Sequence, residues 1–205
     1  MKTWENYSAY LETGEWHIHT SHTDGLSTVE EYCQKAMELG IPLLAFTEHV
    51  RHSLNYNFEE LLSEIDDAKE KFPDIIILSG CEAKVLPDGT LDVDDEILNV
   101  VDYPVFAYHS FPKDVPLIVN TVLTVIRDYP INAWAHPGFF IQKHNLTLSN
   151  DDLNTIFEEM VKSKILLEIN RKYAVPTHQW LDLAKMKGVV TVKGSDCHSA
   201  PQLNL

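Results

Sequence analysis

The sequence predicts a protein of the α/β class, in which a parallel sheet is connected by helical crossovers. Seven short apolar runs alternate with amphipathic segments, and this alternation is typical of successive strand–helix units. Runs such as IIIL at 75–78 are apolar without interruption, as expected of strands that are covered on both faces. No glycine-rich phosphate loop follows the first strand, which disfavours a dinucleotide-binding sheet. The pattern itself leaves open whether the sheet is doubly wound or closed into a barrel.

The elements follow one another in regular order. The predicted strands lie at residues 15–19, 42–47, 74–82, 100–109, 131–136, 165–170 and 189–195. The predicted helices lie at residues 28–40, 58–72, 115–129, 149–163 and 176–187. The first helix is the best marked, because Thr28 and Glu31 form a capping box at its start and Gly40 ends it.

Length and composition limit the classes of function. A chain of 205 residues suits one domain, spanning 1–205, with a core large enough for independent folding. Acidic residues outnumber basic ones by 31 to 16, and the net charge is -15. This balance disfavours nucleic acid as a partner, because proteins that hold it usually carry a basic face. With three scattered cysteines, no apolar signal core and no run of 18 apolar residues, we expect a cytoplasmic protein without a membrane span.

Metal-binding side chains follow the predicted strands with unusual regularity. Six of the seven strands end in histidine, aspartate or glutamate, and one more aspartate lies in the first strand-to-helix loop. These residues are His17, His19, Asp24, His49, Glu82, His109, His136, Asp196 and His198. Active sites of α/β barrels are assembled from the C-terminal ends of strands. The pattern therefore predicts that the nine side chains converge.

The local spacing and the residue types suit a metal centre. His17 and His19 are two residues apart, and side chains with that spacing on a strand point to the same face. Imidazoles and carboxylates are ligands of Zn, Mn and Fe, and nine of them suit two or three ions with Glu82 as a bridge. A single histidine at a strand end is more often hydrogen-bonded than metal-bound. We adopt that interpretation for the remaining four, which are His22, His52, His144 and His178.

The chain resembles the PHP (polymerase and histidinol phosphatase) superfamily in seven motifs taken in order: HIHTSHTDG, AFTEH, SGCEAKVLPDGTLDV, YHS, AHPG, LEIN and GSDCHS. The resemblance implies a distorted (β/α)7 TIM-like barrel with a trinuclear site, and it is nearest to the PHP domains of bacterial family X DNA polymerases. Family members usually continue with one more helix, whereas this chain stops seven residues after His198. We therefore expect the last helix to be absent or replaced, and exposed barrel surface to favour a homo-oligomer.

The resemblance also implies how the ions share their ligands. The implied sets are His17, His19, Glu82 and Asp196 for a first ion, Glu82, His109 and His136 for a second, and Asp24, His49 and His198 for a third. The segment at 47–49 reads Thr-Glu-His, where the family more often has Thr-Asp-His. We expect Glu48 to lie outside the ligand set.

On this basis we expect the hydrolysis of a small-molecule phosphomonoester. A metal-bridging hydroxide would attack phosphorus in line while the ions neutralise the phosphoryl oxygens. The catalytic ligands would be Glu82, Asp196 and His198. Cationic side chains near the mouth should bind the phosphate, and the candidates are Arg171 first, then Lys172 and Arg51.

Three alternatives stay open. The first is a histidinol-phosphate phosphatase, although nothing in the sequence identifies an imidazole-binding pocket. The second is a nuclease or DNA 3′-end processing domain, against which the acidic charge counts. The third is a non-catalytic module that metal ions stabilise. The complete ligand set disfavours this third alternative, whereas the short C-terminal segment favours it.

Overall fold

The computed structural model describes residues 2–204 and contains one seven-stranded sheet in the order β1-β2-β3-β4-β5-β6-β7. The strands are β1 (Glu15–Ile18), β2 (Leu43–Val50), β3 (Ile76–Lys84), β4 (Tyr103–Ala107), β5 (Ala133–Trp134), β6 (Leu166–Asn170) and β7 (Thr191–Gly194). All six neighbouring pairs are parallel. Beyond β7, the Cys197 amide donates to the carbonyl of His17 at 3.0 Å, and Cys197 O accepts from His19 N at 2.8 Å. The sheet is thus a nearly closed barrel, and the predicted barrel is confirmed.

Helices alternate with the strands as the sequence predicts. They are α1 (Val29–Leu39), α2 (Phe58–Lys71), α3 (Asp95–Val100), α4 (Val115–Asp128), α5 (Phe139–Lys143), α6 (Asn150–Ser163) and α7 (His178–Lys187). The capping box of α1 is present, with Thr28 accepting from the Glu31 amide at 3.2 Å. Gly40 ends this helix at a φ of 67°, a left-handed conformation that favours glycine. The short helix α5 was not predicted.

Several strand ends differ from the predicted ones in a way that matters for the site. Strand β2 extends through His49, and β3 extends beyond Glu82, because the two strands pair there: His49 lies opposite Glu82 in the parallel register. Strand β5 is shorter than predicted. Its chain turns away at His136, whose φ is 30°.

The core has two layers. One layer fills the space between the barrel and its helices. The other fills the barrel itself and consists of Trp4, Leu11, Trp16, Leu43, Ala45, Leu78, Tyr103, Val105, Ala107, Ala133, Ala135, Leu166 and Val192. This inner layer occupies the end of the barrel that lies opposite the predicted ligands.

An N-terminal 3-10 helix, Thr3–Tyr10, closes that end of the barrel. Trp4 is buried, and its Nε1 donates to the carbonyl of Lys164 at 2.9 Å. Lys2 donates from its ammonium to the carbonyl of Ile131. Both carbonyls lie just before a strand, so the segment is attached to the N-terminal ends of β5 and β6.

After β7, the part of the chain that the structure describes contains no α-helix. A C-terminal 3-10 helix, Ala200–Asn204, packs against α1 instead. Ala200 and Leu203 are buried, and the Ala200 amide donates to Ser27 Oγ at 3.1 Å. Within residues 2–204, no helix has both the length and the apolar character needed to cross a membrane.

Candidate metal centre

The nine predicted ligands lie together where the C-terminal ends of the strands meet, and Glu82 is at their centre. Glu82 is fully buried. Its carboxylate oxygens lie within 3.7 Å of nitrogen atoms from five histidines, with the shortest separation 2.7 Å. These are His17, His19, His49, His109 and His136. One carboxylate therefore contacts side chains from strands or loops in four parts of the barrel.

Asp196 joins a second group of nitrogens. Its Oδ1 lies 3.1 Å from His19 Nε2, 3.7 Å from His17 Nε2 and 3.5 Å from His198 Nδ1. The backbone of Asp196 has a φ of 53°. This turn directs its carboxylate towards the centre immediately after β7.

Asp24 lies at the rim. Its Oδ2 is 3.5 Å from His49 Nε2 and 3.4 Å from His198 Nε2. The loop that carries Asp24 is held by Glu48, which is buried and accepts from the Thr20 amide and the Thr23 hydroxyl. Glu48 thus anchors this loop instead of facing the central carboxylate.

A glycine next to Asp24 permits this loop path. A Cβ atom at Gly25 would lie 2.2 Å from the carbonyl oxygen of His19, which is a severe overlap. The loop therefore approaches the end of β1 at a distance that only glycine allows.

The donor atoms fit divalent cations. Three groups have one ligand atom from each residue within 4.8 Å of the others: His19, His49 and His198; His17, His19 and Glu82; and His49, Glu82 and His109. Among the described residues, His19 Nδ1, His109 Nδ1 and Glu82 Oε2 are buried without a hydrogen-bond partner. His49 Nδ1 lies 2.9 Å from Glu82 Oε2, yet neither atom has hydrogen-bonding geometry. Such unpaired buried atoms are costly, and a bound cation would satisfy those that face the centre.

Charge interactions shift the titration of this cluster. Burial disfavours the charged form of His17, but the carboxylates of Glu168 and Glu82 outweigh it and raise the pKa of His17 to about 10. Burial is likewise outweighed at His49, where Asp24 and Glu82 raise the pKa to about 10. At His19, burial dominates and lowers the pKa to about 4. Without metal, His17 and His49 therefore hold protons at neutral pH, whereas His19 does not.

Glu168 is a site residue that the sequence interpretation missed. It is buried in β6, and its Oε2 lies 2.7 Å from His17 Nδ1. Its other oxygen accepts from the His136 amide at 3.0 Å and from Asn170 Nδ2 at 2.9 Å. An acidic residue inside the otherwise apolar run ILLEI was the available signal, since such a residue needs a buried partner.

The three cationic candidates lie at different places. Lys172 reaches the centre: its Nζ is 2.9 Å from Asp196 O and 3.3 Å from His198 Nδ1. Arg171 is exposed, and its side chain has no hydrogen bond or ion pair within the described part of the chain. Arg51 lies at the border of a cavity of about 350 Å³ beside Asp24 and His49.

The four remaining histidines lie outside this cluster. His22 pairs with Glu64 at 3.2 Å, and the exposed His52 pairs with Asp94 at 2.7 Å. His144 packs on Phe140, with ring centroids 4.5 Å apart. His178 begins α7.

Fold and site together define an α/β barrel with a histidine- and carboxylate-rich centre at the C-terminal ends of its strands. Residues 15–110 match the sequence model of the PHP domain. This part of the chain is therefore similar to a PHP domain, as its motifs predict.

Proteins similar to this chain differ in how much of their own length the match spans. A DNA polymerase/3′-5′ exonuclease PolX from Bacillus subtilis is 27% identical over 98% of this chain, and the match spans 38% of that protein's length. A probable phosphatase from Clostridium acetobutylicum is 23% identical over 89% of this chain and 77% of its own length. The crystal structure of histidinol phosphate phosphatase from Lactococcus lactis, complexed with zinc, L-histidinol and phosphate, is 16% identical. It covers 92% of this chain and 88% of its own with a TM-score of 0.72, so the fold is shared.

Proposed function

We propose that the protein is a metal-dependent phosphoesterase that hydrolyses small-molecule phosphomonoesters. The proposal rests on one observation, the arrangement of imidazoles from five histidines around the buried carboxylate of Glu82. This cluster lies at the C-terminal ends of the barrel strands, where enzymes of this architecture have their active sites. Similarity to a probable phosphatase adds support.

The proposed cofactor is a set of two or three Zn, Mn or Fe ions, held by the ligand sets that the motif resemblance implies. The histidine and carboxylate donors suit these metals. Bound at Glu82, the ions would supply Lewis acidity, which activates water and neutralises phosphoryl oxygens. Zinc in the Lactococcus lactis structure makes zinc the first metal to test.

The side chains of this protein would then perform the remaining steps. The oxygen of water forms a bond to phosphorus as the ester P–O bond breaks, and the leaving alcohol receives a proton. Lys172 is proposed to bind the phosphoryl oxygens, because its ammonium already lies beside Asp196 and His198. Those two residues are proposed to hold the proton from water and deliver it to the leaving alcohol. We propose Arg171 and Arg51 as outer phosphate contacts.

The test is a phosphatase assay with a panel of phosphomonoesters on protein loaded with Zn or Mn. We expect turnover by the native protein and its loss in His109→Ala. The control is His178→Ala, because His178 lies outside the groups that could hold a metal ion and should not affect the rate. Turnover of no ester at all, or equal rates in native protein and His109→Ala, would contradict the proposal.

Processing of a DNA 3′ end is the second candidate, because the similarity to the polymerase/3′-5′ exonuclease covers nearly the whole chain. The net charge of -15 opposes it. A single-stranded oligonucleotide with a 3′-phosphate and the same oligonucleotide with a 3′-hydroxyl distinguish phosphatase from exonuclease action. Histidinol phosphate belongs in the same panel as the narrower phosphatase candidate.

A further inference from the structure

We propose that Phe139 and Tyr173 form an aromatic platform that selects phosphate esters whose leaving group carries a planar unsaturated ring. This inference rests on the proposed function, because the platform would contact the ester held at the metal centre. The two residues come from different loops, after β5 and after β6. Neither has a role in the ligand sets.

The two rings form a fixed stack. Their centroids are 4.0 Å apart, and their planes differ by 28°. Phe139 begins α5 directly after Gly138, whose φ is 90°. The amide of Tyr173 donates to Asn170 Oδ1 at 3.2 Å. Separate backbone turns therefore hold each ring, and the pair is preorganised.

This stack borders the metal centre. The ring of His136 lies 5.9 Å from Phe139 and 5.8 Å from Tyr173 between centroids, nearly perpendicular to both. The hydroxyl of Tyr173 donates to Asp196 Oδ2 at 2.6 Å. A phosphoryl group held between Glu82 and Asp196 would therefore have its ester substituent within contact distance of the aromatic pair.

Exposure and charge complete the platform. Both rings are only half-buried, so part of each is open to an incoming molecule. Lys143 Nζ lies 5.7 Å from the Phe139 ring centroid, and Lys172 Nζ lies 5.0 Å from that of Tyr173. The two ammonium groups favour an anionic ligand nearby, while the exposed edges of the rings favour contact with a planar unsaturated partner. An aryl ester combines the two properties, whereas an alkyl ester has only the charge.

Two phosphonates that cannot be hydrolysed provide the test. Phenylphosphonate and cyclohexylphosphonate have rings of six carbons, but only the first is planar and unsaturated. We expect zinc-loaded protein to bind phenylphosphonate about three- to tenfold more tightly. The affinities are measured by titration calorimetry at a pH where both compounds are dianions.

Substitutions connect that preference to the platform. Phe139→Leu keeps an apolar side chain without the ring and should bring the affinity ratio close to one, and so should Tyr173→Leu. Phe72→Leu is the matched control, because Phe72 ends α2 far from the platform, and it should keep the native ratio. Melting curves show which variants are folded.

Equal affinities of the native protein for the two phosphonates would overturn the proposed platform. So would an unchanged affinity ratio in a folded Phe139→Leu or Tyr173→Leu variant. Absence of binding by both compounds would overturn it too. These outcomes are independent of the hydrolysis assay. A protein that hydrolyses phosphate esters without ring preference would refute the platform alone, and one that keeps the preference without any turnover would refute the proposed phosphoesterase activity alone.

Discussion

Glu168 Oε2 lies 2.7 Å from His17 Nδ1, although the two residues come from strands on opposite sides of the barrel closure. A carboxylate at one ring nitrogen fixes the tautomer and leaves the other nitrogen free to face a cation. Here the free atom is His17 Nε2, which lies 3.7 Å from Glu82 Oε1 and from Asp196 Oδ1. Glu168 thus orients a proposed ligand without approaching the centre itself.

Replacing this carboxylate should weaken metal binding. For Glu168→Gln we expect a loss of about tenfold to a hundredfold in zinc affinity, because the neutral amide does not increase the basicity of the His17 ring as a carboxylate does. Competition with a coloured chelator measures the affinity. Glu159→Gln is the control, since Glu159 lies on α6 and pairs with Arg127 at 2.9 Å. Native affinity in Glu168→Gln would contradict the assigned role.

Metal binding should release protons at neutral pH. In metal-free protein, the pKa values of His17 and His49 are raised to about 10, so both rings are protonated at pH 7. Coordination requires an unprotonated nitrogen, and binding therefore expels protons. Apparent zinc affinity should rise with pH up to the region of these pKa values.

Titration calorimetry in two buffers of different ionisation enthalpy measures this release. The apparent binding enthalpy should differ between buffers in proportion to the number of protons transferred. A buffer-independent enthalpy would mean that the rings are already neutral before the metal arrives.

Lys172 and Arg171 should contribute unequally to substrate binding. Lys172 hydrogen-bonds to Asp196 and His198, whereas the Arg171 side chain has no hydrogen bond or ion pair within residues 2–204. We expect Lys172→Ala to raise KM for a phosphate ester by about tenfold or more, since an ion-paired hydrogen bond is lost. Arg171→Ala should have a smaller effect. Steady-state kinetics on variants with equal metal content measure the two increases in KM. A larger increase in Arg171→Ala than in Lys172→Ala would contradict this prediction.

Trp4 should stabilise the fold without taking part in the site. Removing this buried indole in Trp4→Ala should lower the free energy of unfolding by about 3 kcal/mol. Urea unfolding followed by circular dichroism measures the change. Met186→Ala is the control, because Met186 is 82% exposed and its removal should change stability by less than about 0.5 kcal/mol. Equal stabilities of the two variants would show that the N-terminal segment is not part of the core.

Pattern alone sufficed to find the nine clustered residues, and the reason is geometric. In a parallel sheet, every strand delivers its last residues to the same edge, so His109 and His136 could be brought together without knowledge of their contacts. Alternation of strands and helices gave the α/β class in the same way. Closure of the sheet needed the motif resemblance, because periodicity does not report curvature.

Other features depend on contacts between distant segments. Glu168 acquires its role only because β6 lies near β1 across the barrel. The segment around Trp4 has no helical apolar period, so nothing in it indicated a cap on the barrel. The difference between Arg171 and Lys172 is set by a turn in which Ala174 has a φ of 53°, and strand alternation does not extend through such a turn.

Within residues 2–204, the N-terminal 3-10 helix and the apolar layer above it close one end of the barrel, so the metal centre is reached from the other end. Under the proposed function, reactant and both products must use the same passage. Inorganic phosphate, the last group in contact with the centre, then occupies the place of the next ester until it departs. We expect phosphate to inhibit competitively, so that the KM for the ester rises with phosphate concentration while kcat is unchanged.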